Sequence, residues 1–102
     1  TGTNNGATCD PAIEAAVAGE AAESGRTNIL NGRFKGGWTT RHYGRPSEGL
    51  HAIQMELAQS SHLTTEAPPF ALDASRTASL RPILARMLTR LTDLAPTLAQ
   101  KR

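Results

Sequence analysis

Apolar positions follow the period of a helix at both ends of the chain and the period of a strand between them. Near the start, Ile13, Ala16, Val17 and Ala21 recur at helical spacing. Asp10 and Pro11 precede them: a carboxylate that can accept from free amides, then a proline whose missing N–H costs nothing at the first helical position. Ser24 and Gly25 supply a stop, so the pattern predicts a helix over about 11–24. At the other end Leu80, Ile83, Leu84, Met87, Leu88, Leu91, Leu94 and Leu98 trace one helical stripe, the strongest periodic signal in the chain. Pro82 falls inside it and either kinks the helix or marks its first turn, while Pro96 is expected to fray its end. The stripe reads as core, and the same face could serve an oligomer interface.

The middle of the chain reads differently. His51 to Ala58 alternates, with Ile53, Met55 and Leu57 on one side and Ala52, Gln54, Glu56 and Ala58 on the other, which predicts a strand and leaves a helix possible. Trp38 to Tyr43 suits a strand by its threonine and aromatic content, and Asn28 to Asn31 a brief buried one. Thr1–Thr8 reads as loop, Gly44–Gly49 as a turn, and Ser60–Asp73, with Pro68 and Pro69, as a long connection. Strands alternating with helices predict an α/β fold, two helices packed on a sheet. Two or three strands and four aromatics bury little apolar area, so the chain is expected to be incomplete as a domain.

Composition narrows the function. At 102 residues there is room for one small core. A net charge of +2 is too small for the broad electrostatic footprint of a nucleic-acid binder, and four aromatics offer little for stacking. The apolar runs fall far short of the roughly 20 residues that span a bilayer. Cys9 stands alone, which excludes an intrachain disulfide and makes a reducing cytoplasm the expected compartment. The start at Thr1, with no secretory-type segment, looks cut.

Arg33, Lys35, Arg41 and Arg45, with His42 among them, occupy an interval free of acidic residues. Guanidinium forks match carboxylate and phosphate, and Gly32, Gly36 and Gly37 would let backbone approach a ligand, so the stretch can clamp a small anion. A solvated basic edge strand explains the same residues equally well. Glu56 lies among the small residues Ala52 and Ala58, a face with room for a ligand, and could act as general base on a water molecule; an ordinary exposed strand residue is the plainer alternative. His42, His51, His62 and Cys9 have no metal-ligand spacing, and no HxxE, HxxxH or CxxC occurs. Cys9 at a helix start has no identifiable base to make it a nucleophile.

Longer blocks are more specific. Asn31 to Gly44 (NGRFKGGWTTRHYG), followed by His51 to Gln59 (HAIQMELAQ), closely resembles the N-formylglutamate amidohydrolase, or deformylase, family. Cys9-Asp10-Pro11 before these blocks, and Pro68-Pro69-Phe70 and the leucine-rich stretch after them, look like the C-terminal part of that family. The resemblance implies hydrolysis of N-formyl-L-glutamate to formate and L-glutamate in histidine degradation. It implies a fold similar to zinc carboxypeptidases, a sheet flanked by helices. A divalent metal, zinc, would polarise the formyl carbonyl, with ligands outside this chain. By the same resemblance Glu56 is the catalytic base, Arg33, Arg41 and Lys35 hold the substrate carboxylates or the developing oxyanion, His42 and Tyr43 line the pocket, and Gln54 flanks the base as a further substrate-binding residue. The chain alone is then expected to be inactive. A non-catalytic module that grips a small anion or an acidic partner through Arg33–Arg45 is the alternative.

Overall fold

A computed structural model describes residues 1–99. Helix α1 spans Pro11–Glu23 and begins as its sequence predicts: the Asp10 carboxylate accepts from the Ala12 N–H at 2.8 Å, and Pro11 takes the first turn. Helix α2 spans Trp38–Tyr43, and α3 spans Ala74–Ala99. The Asp73 carboxylate accepts from the Arg76 N–H at 2.8 Å and starts α3. Short 3₁₀ turns at Pro46–Glu48 and Gln59–Ser61 interrupt the connections. The molecule measures 46 × 25 × 20 Å, its long dimension set by α3, whose 26 residues rise about 39 Å at 1.5 Å each.

The core is the seam between α1 and α3. Cys9 and Ile13 pack with Leu98, while Val17 packs with Ile83 and Met87, so the two helices run antiparallel. Beside the second cluster, the buried Glu20 of α1 meets two arginines of α3, Arg86 at 3.3 Å and Arg90 at 3.6 Å. The stripe predicted for α3 is largely inward: Leu80, Ile83, Met87 and Leu98 are buried, Leu84, Leu91 and Leu94 half-buried, and Leu88 faces solvent. Pro82 and Pro96 both lie within the helix, on its exposed side, where the carbonyls that lose an N–H partner can reach water.

The expected α/β architecture, a carboxypeptidase-like sheet flanked by helices, is not formed. Among the described residues there is no strand, only the isolated antiparallel bridges Gly2–Gln54, Arg45–Leu50 and Leu63–Leu72. His51–Ala58 forms neither the predicted strand nor a helix: it is irregular apart from a single bridge at Gln54, and Ile53 reaches the second core cluster. One neighbour at one residue is not a sheet, and Met55 and Leu57 stay exposed. Trp38–Tyr43 is a helix instead of a strand. The Arg41 N–H bonds the Gly37 carbonyl at 3.1 Å, the Gly44 N–H bonds that of Thr40 at 3.0 Å, and Trp38 stacks on His42 one turn later at 4.2 Å. These local contacts outweigh a β preference that depends on having a sheet to join. Asn28–Asn31 is irregular.

The first eight residues, read as loop, form an ordered knot under the middle of the chain. Thr3 is fully buried; its hydroxyl donates to Glu14 Oε2 at 2.6 Å and accepts from the Gly6 N–H and from Asn31 Nδ2. Asn31 Oδ1 in turn accepts from the Thr3 N–H at 2.8 Å, with Asn31 at a φ of +53°. Gly2 is required by close approach, since a Cβ there would stand 2.6 Å from the Gly36 nitrogen. Thr3→Val keeps the shape of the side chain but strands the partners of its hydroxyl. It is expected to lower stability by about 1–3 kcal/mol, read from urea unfolding midpoints.

Candidate active site

Gln54 is the junction of the site. Its backbone pairs with Gly2 in both directions, at 2.9 and 2.8 Å, which fixes this segment against the N-terminal knot. Its side-chain oxygen accepts from the Gly37 N–H at 2.5 Å and from the Thr40 hydroxyl at 3.3 Å, and its Nε2 donates to Glu56 Oε1 at 2.5 Å. Arg41 joins the same neighbourhood by donating from Nη1 to the Gly36 carbonyl at 3.2 Å. Gln54 therefore links the carboxylate to the start of α2 and, through the neighbouring Gly36, to Arg41.

The other candidates spread along this polar rim. His42 stacks on Trp38 and meets Tyr43 edge-on at 4.7 Å, forming an exposed aromatic cluster on α2. Arg33 lies over the Phe34 ring at 5.7 Å and is exposed, as is Lys35, whose backbone carbonyl accepts from the Asn4 N–H. Arg45 is turned to Glu48 at 3.6 Å, both ends exposed. The three glycines each sit against other parts of the protein. A Cβ at Gly32 would strike Ile29, one at Gly36 would press on Thr40, and one at Gly37 would meet Gln54 Oε1.

Glu56 is exposed, and it also lines a cleft of about 860 Å³ between α1, α3 and the segments around residues 24–30 and 55–61. The cleft walls include Ile29, Met55, Leu57, Ile83 and Met87, and none of Arg33, Lys35 or Arg41. The carboxylate stands at the edge of an apolar cleft that these three cations do not line.

No metal site is assembled among the described residues, where no three His, Cys, Asp or Glu side chains converge. His51 Nδ1 accepts from the Asp10 N–H at 3.0 Å, His42 is stacked on α2, and the buried Nδ1 of His62 has no hydrogen-bond partner. Cys9 is 2% exposed, and burial, with Glu14 nearby, pushes its thiol up to about 11. At neutral pH it is a protonated core residue. Its folded value lies above the ordinary 9.0, so the unfolded chain gives up this proton first and stability falls as pH rises from about 9 to about 11. A thiol reagent at pH 8 is expected to label Cys9 at the rate of unfolding, and immediate labelling of the folded chain would contradict this burial.

Sequence reading missed Thr40 and the Thr3–Asn31–Glu14 network. Asn4-Asn5-Gly6, all at positive φ, is the one local sign that the opening residues form a defined turn. Nothing in the spacing marks Thr40, whose burial follows from α2 being a helix.

The arrangement is a carboxylate held through Gln54 to the glycine-rich start of α2, at the edge of a cleft. Residues 1–63 match the family model of N-formylglutamate amidohydrolase, and the chain belongs to that family. It is 47% identical over 88 residues to a protein of Pseudomonas aeruginosa named N-formylglutamate deformylase, a match covering 85% of this chain and 33% of that protein. A Pseudomonas putida protein of the same name is 53% identical over 70 residues, covering 68% of this chain and 26% of its own. The chain thus spans about a third or less of the length of these relatives. No solved structure matches it significantly. No helix among the described residues is long and apolar enough to cross a membrane.

Proposed function

We propose that the chain is the C-terminal portion of a single amidohydrolase domain that cleaves N-formyl-L-glutamate to formate and L-glutamate, in cytoplasmic histidine degradation. The observation that carries this reading is the tether of Glu56 to the arginine-bearing stretch through Gln54. Glu56 takes a proton from the attacking water as the water oxygen bonds the formyl carbon. Collapse of the adduct breaks the C–N bond, and the same proton passes to the leaving amine. Arg33, Arg41 and Lys35 hold the two substrate carboxylates, with His42 and Tyr43 at the pocket wall. A divalent metal, zinc, belongs to this reading. Among the described residues no three candidate ligands converge on it; the reading places its ligands outside this chain, and no step here runs through it.

The test uses a fusion in which this chain replaces the matching stretch of the Pseudomonas aeruginosa relative. Formate release from N-formyl-L-glutamate is expected to exceed that from N-formyl-L-leucine at least about tenfold, since a site built for a charged group loses that interaction with the neutral analogue. Equal rates, or anion binding with no formate released, would count against the reading.

A further inference from the structure

We infer that Gln54 is a positioning residue that holds the Glu56 carboxylate, and that Thr40 fixes the direction in which it does so. The inference rests on the proposed role of Glu56 as base and changes the role of Gln54 from a group that meets substrate to one that orients the base. Both polar ends of the Gln54 side chain are occupied within the protein. The direction of the amide follows from its neighbours. The Gly37 N–H and the Thr40 hydroxyl are donors and must face the oxygen; the Glu56 carboxylate is an acceptor and must face the NH₂. Turning the amide over would set NH₂ against an N–H and oxygen against a carboxylate.

Thr40 is the buried member of this set, and its methyl-bearing carbon packs beneath Gly36. Gly37, which donates to the same oxygen, directly precedes α2. The start of α2 therefore sets the Gln54 amide, and the amide sets one oxygen of Glu56, leaving Oε2 to receive a proton. One oxygen held by a fixed donor, with the other free to take a proton, is the arrangement a general base needs.

The test reads the Gln54 side-chain amide by ¹⁵N NMR in the 102-residue chain. Acidification through the carboxylate range is expected to move the Gln54 Nε2 signal. Glu56→Gln, at an exposed position, is expected to abolish that movement. Thr40→Val is expected to speed water exchange of the Gln54 NH₂ by roughly fivefold or more, and Thr40→Ser, which restores the hydroxyl, to reverse most of it. An Nε2 signal indifferent to acid, or one that moves equally in Glu56→Gln, would overturn the inference even if Thr40→Val failed to fold. In the fusion protein, Gln54→Met is expected to lower kcat about tenfold with KM within about twofold; a raised KM at unchanged kcat would make Gln54 a substrate ligand and overturn it. Failure of the proposed reaction is separate: it appears as formate release that survives Glu56→Gln while the NMR linkage stands.

Discussion

Glu56→Gln in the fusion protein is expected to lower kcat for formate release by about 10²- to 10⁴-fold, the range that a positioned base contributes, with KM for N-formyl-L-glutamate within about threefold. The substitution keeps the size and planarity of the side chain and removes its capacity to take a proton at neutral pH. It is also gentle to the fold. Glu56 is exposed, and a glutamine oxygen can still accept from Gln54 Nε2, so the unfolding midpoint should stay within about 0.5 kcal/mol of the parent. A large rate loss at constant stability and constant KM therefore isolates proton transfer. Activity retained in this variant would remove Glu56 as the base, and the family relationship would have to be served by a carboxylate outside this chain. Arg41→Met offers the contrasting pattern: a group that holds a substrate carboxylate lowers KM, and its loss is expected to raise KM by about tenfold or more.

What could be seen in the sequence divides along the range of the forces involved. Helix α1 was legible because its start is local: Asp10 caps it and Pro11 begins it. Helix α3 was legible because a stripe of eight apolar residues over five turns has few other uses. The middle was not. Alternation at His51–Ala58 predicts a strand, but a strand needs neighbours with continuous ladders, and only the isolated bridge of Gln54 to Gly2 forms here. Trp38–Tyr43 shows the reverse error, a stretch with strand-like residues that becomes helical once Trp38 and His42 stack one turn apart and Thr40 is buried. The candidate base and its basic stretch were visible as residue types. Their connection was not, because the Gln54 amide reaches from residue 37 to residue 56 only after α2 and the N-terminal knot have set the distance. The buried Glu20 likewise carries no sign in its own helix, as its partners Arg86 and Arg90 lie 66 and 70 residues further on.

The same contrast yields the largest expected stability effect. Ile83→Ala is expected to destabilise the chain by about 2–4 kcal/mol and lower Tm by roughly 10–25 °C, whereas Leu88→Ala should cost no more than about 0.5 kcal/mol. By sequence the two positions are equivalent members of one stripe. In the fold, Ile83 is 8% exposed against Val17 and Met87, and Leu88 is 65% exposed. Removing three carbons from Ile83 takes away their burial and leaves a void that two helices joined along a single seam can only partly close. Among the described residues the antiparallel seam is the main helix–helix packing, with Ile53 alone of the middle of the chain beside this cluster, so little else shares the loss. For a domain whose whole stability is of order 5–15 kcal/mol, that is a large fraction. Leu88 already meets water, and alanine there gains helix propensity that offsets what little packing is lost. Equal destabilisation by the two variants would mean that α3 presents a broader apolar face to a partner than its packing on α1 implies, and thermal unfolding across a range of protein concentrations would then reveal the association.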